Sequence, residues 1–143
     1  MSPAAKEAER LITSLNLAPH PEGGWFRETY RGPATADGRA TSTAILFLLK
    51  AGELSRWHRI DAAEIWHWHR GAPLELTIAM EGGERQTLRL GPDIEAGETP
   101  QGIVPPGAWQ MTRPLGAYGL VGCTVAPGFD FSQFELAPEG WEP

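Results

Sequence analysis

Three of the chain's four histidines and three of its six tryptophans lie in one stretch of twenty residues, GELSRWHRIDAAEIWHWHRG, from Gly52 to Gly71. Imidazole and carboxylate side chains are common protein ligands of transition metals, and they are also the usual groups for proton transfer. The same stretch is compatible with an aromatic core that carries polar residues. The function of the protein depends on which of these descriptions applies.

Two short strands account for most of this stretch, and regular alternation assigns their side chains to faces. In the first strand, 54–60, one face carries Leu54, Arg56, His58 and Ile60, and the other carries Ser55, Trp57 and Arg59. In the second strand, one face carries Glu64, Trp66 and Trp68. A turn near 61–63 would bring His58 close to Glu64, as a metal pair or as a hydrogen-bonded acid–base pair.

His67 and His69 form a rival pair, because two histidines one residue apart in a strand point in the same direction. Such a pair could bind a metal, but the sequence offers no third ligand beside it. The alternative is that both imidazoles are polar side chains on a half-exposed strand, and we favour that interpretation.

A second group of polar residues lies in PHPEGGWFRETYR, 19–31, which contains His20, Glu22, Arg27, Glu28 and Tyr30. The two glycines at 23 and 24 would let the backbone approach another group closely. An arginine such as Arg27 can bind a carboxylate or phosphate with two hydrogen bonds. The alternative is an edge strand whose charges discourage aggregation, and this alternative is slightly favoured.

The elements that must position these residues are mostly strands. A helix is expected over 3–15, with Ser2 as its cap and Pro3 at its first position. Short apolar or alternating runs bounded by glycine and proline follow at 43–49, 54–60, 64–69, 74–80, 86–90, 102–104, 109–112 and 118–125. The segment 81–84 predicts a hairpin connection. This rhythm predicts an all-β sandwich or barrel in one domain, 1–143.

The composition is that of an ordinary globular domain, with 41% hydrophobic and 21% charged residues among 143. A net charge of −6 argues against a nucleic-acid partner, and no apolar run approaches the roughly 20 residues of a membrane helix. The N-terminus lacks the pattern of a signal peptide, and Cys123 is the single cysteine. We therefore expect a cytoplasmic protein that binds a small molecule and keeps Cys123 buried.

Several motifs together resemble the cupin superfamily. The spacing of Gly52, His58, Glu64 and Gly71 is similar to its first motif, and Pro105, Gly107 and Gln110 are similar to its second. More closely, the segments 19–31, 55–76, 104–110 and 120–136 resemble the cupin type 5 family, a domain of unknown function (DUF985). These segments cover most of the chain after residue 18.

The resemblance implies a double-stranded β-helix, a jelly-roll barrel with a short N-terminal helix and one ligand pocket. His58, Glu64 and Gln110 would line the pocket, and Trp66 and Trp68 would face inward with them. Such rings stack well on sugars, bases and other flat ligands. Small cupins commonly pair, so we expect a homodimer in which Arg27 or Tyr30 reaches the partner's pocket.

The chain departs from the metal-binding pattern of that superfamily. Ile60 stands where a second histidine is expected, and Gln110 stands where the last one is expected. A carboxamide is a weak neutral ligand and isoleucine is none, so we expect no resident cofactor. A divalent metal, if bound, would be held weakly by His58, Glu64 and Gln110.

Three functions fit this pocket. One is a metal-independent isomerase or epimerase acting on a carbohydrate-like or other polar metabolite, with His58 as general base and Glu64 orienting it or acting as acid. A second is a metal-dependent cupin enzyme. The third is a binding or sensing module without catalysis, so the sequence leaves open whether the protein is an enzyme.

Overall fold

The computed structural model describes residues 1–80 and 82–143, and these contain one α-helix, two 3-10 turns at Ile94–Ala96 and Phe131–Gln133, and two antiparallel sheets. The elements are α1 (Pro3–Ser14), β1 (Ala18–Pro19), β2 (Trp25–Arg31), β3 (Thr43–Lys50), β4 (Ser55–Ile60), β5 (Ala63–Gly71), β6 (Leu74–Ala79), β7 (Arg85–Leu90), β8 (Gln101–Val104), β9 (Trp109–Pro114), β10 (Tyr118–Ala126) and β11 (Phe134–Leu136). The predicted all-β fold with a short N-terminal helix is confirmed. Glu81, in the predicted hairpin connection 81–84, lies outside the described residues.

The strands form sheets in the orders β1-β2-β3-β10-β5-β8 and β11-β4-β9-β6-β7. Apart from the consecutive pairs β1-β2, β2-β3 and β6-β7, the described neighbours in each sheet come from distant parts of the chain, as in a jelly roll. The main apolar core includes Phe47 and Val121 from the first sheet and Leu76 and Ile78 from the second. The polar residues of β4 and β5 therefore come from different sheets and meet inside the barrel.

The helix α1 packs on the outside of the first sheet. Ser2 caps it as predicted, because its hydroxyl oxygen accepts the backbone N–H of Ala5. Ala8 is buried in a cluster with Leu48 and Leu120. Among the described residues, no helix is long and apolar enough to cross a membrane.

A β-bulge in β4 changes which side chains point inward. Ser55 pairs with Thr112 and His58 pairs with Gln110, so three steps along β4 match two along β9. The expectation that Ser55 lies on the face opposite His58 is wrong for this reason. Both side chains enter the barrel, while Trp57 packs in an outer cluster with Trp109.

The turn between β1 and β2 docks tightly against the beginning of β4. Gly23 and Gly24 have φ values of 109° and 79°. A Cβ on Gly23 would lie 2.0 Å from the carbonyl oxygen of Leu54. The backbone N–H of Arg56 donates to the carbonyl oxygen of Glu22 at 2.8 Å. The glycines therefore permit a close backbone approach, which ties 20–24 to the bulge.

We expect Gly23→Ala to destabilise the protein by about 3 kcal/mol or more, because it adds a steric collision to an unfavourable backbone conformation. Gly52→Ala is the matched control, since Gly52 has a φ of 83° but no described atom within 4 Å of its added Cβ. This control should cost about 1 kcal/mol. Urea unfolding measures both, and equal losses would contradict the docked turn.

Candidate functional site

A cavity of about 60 Å³ lies inside the barrel. Its lining residues are His20, Glu22, Phe26, Glu28, Arg31, Thr43, Ile45, His58, Ile60, Glu64, Cys123, Val125, Phe129 and Phe131. Three of these, Glu28, Arg31 and Phe131, are exposed and mark the mouth. The cavity therefore combines an apolar wall with a small group of buried titratable side chains.

His58 is hydrogen-bonded to Glu22 rather than to Glu64. Its Nε2 lies 3.1 Å from Oε2 of Glu22, and its Nδ1 lies 2.6 Å from the carbonyl oxygen of Arg56. The side chains of His58 and Glu22 are only 3% and 7% exposed. Because a carbonyl oxygen can only accept, the proton of the neutral ring is on Nδ1, and Nε2 is the acceptor.

Glu22 is therefore the donor in this pair. Burial raises the pKa of Glu22 to about 8 and lowers the pKa of His58. The protonated carboxyl then donates to Nε2, and its other oxygen accepts the hydroxyl of Ser55 at 2.8 Å. At neutral pH the pair is uncharged and shares one proton.

Glu64 is held by a separate hydrogen-bonded chain. The indole N–H of Trp66 donates to Oε1 of Gln110 at 2.8 Å, and Nε2 of Gln110 donates to Oε1 of Glu64 at 2.8 Å. Because an indole can only donate, it fixes the orientation of the amide. Burial raises the pKa of Glu64 to about 7, with Glu22 adding to the shift and His58 opposing it.

Cys123 lies on the other side of Glu64. It is buried, as predicted, and it forms a hydrogen bond with the Glu64 carboxyl. Burial raises the pKa of the Cys123 thiol well above its ordinary value. The residue is therefore a neutral thiol in the wall of the cavity rather than a thiolate nucleophile.

His20 is the second imidazole of the cavity. Its Nδ1 accepts the backbone N–H of Glu22 at 3.0 Å. Burial lowers the pKa of His20 to about 4, and the nearby His58 contributes in the same direction. The imidazole is therefore neutral at physiological pH, as is that of His58.

The predicted site residues divide into two sets. His58, Glu64 and Gln110 are brought together, although Gln110 supports Glu64 from behind and does not line the cavity. Trp66 and Trp68 also lie outside the lining. Trp66 is buried beneath it, and the indole N–H of Trp68 donates to the carbonyl oxygen of Ala72 at 3.1 Å. These two tryptophans pack against the core instead of forming the cavity wall.

Arg27 and Tyr30 do not line the cavity of their own chain. Both are exposed on β2, while the neighbouring Phe26 and Glu28 point to the cavity. Their expected role in a partner's pocket, and the homodimer itself, stay predictions. His67 and His69 also lie outside the lining, and His67 contacts Thr124 and Gln101.

Sequence reasoning underestimated His20, Glu22 and Ser55. The second half of segment 19–31 forms β2, which is an edge strand only in part because the two-residue β1 pairs with Trp25 and Phe26. Its first half is a separate turn that delivers His20 and Glu22 to the cavity. The available signal was HPEGG, two polar side chains two residues apart followed by two glycines, and only the docking contact with β4 reveals its importance.

The residues at the expected metal-ligand positions do not fit a metal. Ile60 contributes only hydrocarbon to the cavity, and the oxygen of Gln110 is occupied by the indole of Trp66, so the amide presents its N–H group to Glu64. Nε2 of His58 is engaged with Glu22. Within residues 1–80 and 82–143, no group of three or more His, Cys, Asp or Glu side chains could hold a metal ion.

A protein-family model and a yeast protein match this chain over most of its length. The family model described as Cupin superfamily (DUF985) matches residues 9–137. The uncharacterized protein YML079W of Saccharomyces cerevisiae is 27% identical over 144 residues, covering 86% of this chain and 71% of the yeast protein.

Solved structures agree with this assignment. Protein SO0799 from Shewanella oneidensis is 41% identical with a TM-score of 0.87, covering 91% of this chain and 84% of that chain. A hypothetical protein from Leishmania major is 33% identical with a TM-score of 0.83, covering 91% and 86%. A variant of Bacillus subtilis oxalate decarboxylase shares 18% identity at a TM-score of 0.65 over 83% of this chain and 29% of its own. This last likeness shows the fold alone, and it confirms the jelly roll.

The buried carboxyls should make the free energy of unfolding fall at alkaline pH. A folded-state pKa of about 8 for Glu22 lies above its ordinary value of 4.5, so the stability it contributes is complete below pH 4.5 and is lost as pH rises through 8. Glu22→Gln cannot ionise, and its amide can still donate to His58. Between pH 6 and pH 9, we expect the free energy of unfolding of this variant to fall by on the order of 2 kcal/mol less than that of the wild type.

Urea unfolding at the two pH values measures this difference. Glu28→Gln is the control, because Glu28 is an exposed glutamate at the mouth of the same cavity. If E22Q and the wild type lost stability in parallel, Glu22 would not be the buried protonated group.

Proposed function

Because this chain belongs to the cupin superfamily (DUF985), we propose that its barrel binds a small polar metabolite and acts on it as a metal-independent isomerase or epimerase. One observation carries the proposal. Two buried carboxyls, Glu22 and Glu64, face the same cavity and are held by different partners. Paired titratable groups in different environments are the usual arrangement for an acid and a base in one site.

The two carboxyls take opposite roles. Glu22 is the acid, because its proton is held against the acceptor nitrogen of His58 and its pKa is raised to about 8. Glu64 is the base, because Gln110 donates to its carboxylate and its pKa is raised only to about 7. Near neutral pH a large share of molecules has one carboxyl protonated and the other ionised.

His58 acts on Glu22 rather than on the substrate in this proposal. Both of its ring nitrogens already have partners, the carbonyl oxygen of Arg56 and the carboxyl of Glu22. Its sequence-based role as the general base therefore passes to Glu64. His58 orients the Glu22 carboxyl and receives a hydrogen bond from it, so it is a positioning residue.

The reaction class that suits this pair is proton transfer at a carbon next to a carbonyl group. The Glu64 carboxylate takes the proton from that carbon, and the electron pair of the C–H bond moves towards the carbonyl oxygen. The proton of Glu22 then leaves its hydrogen bond with Nε2 of His58 and passes to carbon. The two carboxyls regain their starting states when a proton passes from Glu64 to Glu22. Return to the opposite face of the same carbon gives an epimer. For an α-hydroxy carbonyl compound, return to the former carbonyl carbon gives an isomer, provided that the α-hydroxyl proton moves to the former carbonyl oxygen.

The proposal predicts a bell-shaped pH dependence. Activity needs ionised Glu64, which forms above about pH 7, and protonated Glu22, which is lost above about pH 8. The measurement is incorporation of deuterium from D₂O into aldoses, ketoses and other carbonyl metabolites, followed by mass spectrometry with EDTA-treated protein. We expect E64Q to lower the exchange rate at least about 100-fold.

Glu95→Gln is the matched control for exchange, because Glu95 is exposed and does not line the cavity, and it should retain exchange. A rate that E64Q leaves unchanged would refute the role of Glu64. Exchange that requires a stoichiometric transition metal would support the metal-dependent alternative instead. Tight binding of a metabolite without exchange would support the binding or sensing module.

A further inference from the structure

The neutral ring of His20 has a fixed tautomer. His20 takes no part in the proposed proton transfer by Glu22 and Glu64. Its Nδ1 accepts a backbone N–H, so the proton of the neutral ring is on Nε2. Within the described chain, Nε2 has no acceptor at hydrogen-bond distance. Thr112 Oγ1 is the only fully buried side-chain polar atom without a partner among the described residues, so Nε2 of His20 is not sealed in the core. It is an available neutral donor in the cavity lining.

Four of the chain's five phenylalanines have ring centroids within 6.5 Å of this imidazole, and the fifth, Phe129, packs on two of those four. We call them the phenylalanine collar: Phe26, Phe47, Phe129, Phe131 and Phe134. The ring centroid of His20 lies 4.4 Å from that of Phe26 and 5.7 Å from that of Phe47, with the rings edge to face. The collar surrounds the imidazole with hydrocarbon, which disfavours a positive charge on it.

Part of the collar is not explained by core packing. Phe131 is 55% exposed although it lines the cavity, and it packs edge to face on Phe129 at 4.7 Å. An aromatic pair with one exposed ring, at the mouth of a buried polar site, is suited to the apolar part of a ligand. The polar contacts of the cavity lie deeper, at His20, Glu22 and Glu64.

We propose that His20 binds the carbonyl oxygen of the substrate through its Nε2–H, and that the substrate carries a flat apolar group that lies against the cavity-lining members of the collar, Phe26, Phe129 and Phe131. The catalytic part of this inference rests on the proposed proton transfer, because the same oxygen gains negative charge when the C–H bond breaks. A neutral imidazole donor stabilises that charge without giving up its proton. Among the carbonyl metabolites of the proposed reaction, this geometry favours a small aryl-substituted carbonyl compound.

The tautomer can be tested without any ligand. Long-range ¹H–¹⁵N correlation spectra of ¹⁵N-histidine protein should show His20 neutral and protonated at Nε2 from pH 5 to pH 9. A ring protonated at Nδ1, or a cationic ring at pH 6, would overturn the proposal.

Two substitutions separate the two nitrogens of His20. In His20→Asn the amide oxygen can still accept the backbone N–H of Glu22, but the variant has no group at the position of Nε2. In His20→Gln the longer amide can still donate near the position of Nε2. The probes are 4-phenylbutan-2-one, butan-2-one without the ring, and butylbenzene without the carbonyl, all uncharged and measured at pH 6.

We expect 4-phenylbutan-2-one to bind at least about 10-fold more tightly than either comparison compound, which corresponds to one hydrogen bond or part of a buried ring. H20N should reduce its affinity to that of butylbenzene, whereas H20Q should retain most of the preference. Equal affinities of the ketone and butylbenzene for the wild type, or an unchanged preference in H20N, would refute the role of His20. Equal affinities of the two ketones would refute the role of the collar.

E64Q separates this inference from the proposed function. It should abolish deuterium exchange but leave the affinity for 4-phenylbutan-2-one within about threefold, because His20 and the collar are unchanged. Selective ketone binding without exchange would sustain the His20 site and refute the isomerase. Exchange that H20N leaves unchanged would sustain the isomerase and refute the His20 site.

Discussion

The burial of Glu22 is the constraint on which the rest of the site depends. Its backbone N–H is bonded to His20, its backbone carbonyl oxygen accepts from Arg56, and its carboxyl contacts Ser55 and His58. One residue thus joins the turn, the bulge of β4 and both imidazoles of the cavity. A buried carboxyl with fewer partners would be strongly unfavourable, so the turn and the bulge must form together.

Backbone groups and indoles that can only donate or only accept set the protonation pattern of the cavity. The carbonyl oxygen of Arg56 requires a proton on Nδ1 of His58, whereas the backbone N–H of Glu22 requires a lone pair on Nδ1 of His20. The two imidazoles therefore have opposite tautomers, although both are neutral. One presents an acceptor to Glu22, and the other presents a donor to the cavity. Trp66 orders the Gln110 amide by the same principle.

Sequence patterns predicted the fold well because jelly-roll strands carry local signals. Alternation placed Glu64 and Trp66 on one face of β5, and both side chains point to the interior. It failed in β4, because a bulge is a property of two paired strands and leaves no mark in one of them. The role of His20 and Glu22 is not visible in a local pattern, since it depends on a turn whose Gly23 backbone packs closely against Leu54. Long-range docking of this kind has no local periodicity.

The two departures from the metal-binding pattern are physically related. Ile60 removes a ligand from the cavity and adds apolar wall, which raises the cost of a charge at the centre. Gln110 turns its N–H group towards Glu64 because Trp66 occupies its oxygen, so the carboxylate has a hydrogen-bond donor where a metal would otherwise neutralise it. With isoleucine and glutamine at these positions, the pKa of Glu64 lies near neutrality, so its carboxyl is not permanently charged. The same jelly roll can thus support proton chemistry in one chain and other chemistry in another, because the activity depends on the few side chains that enter the barrel.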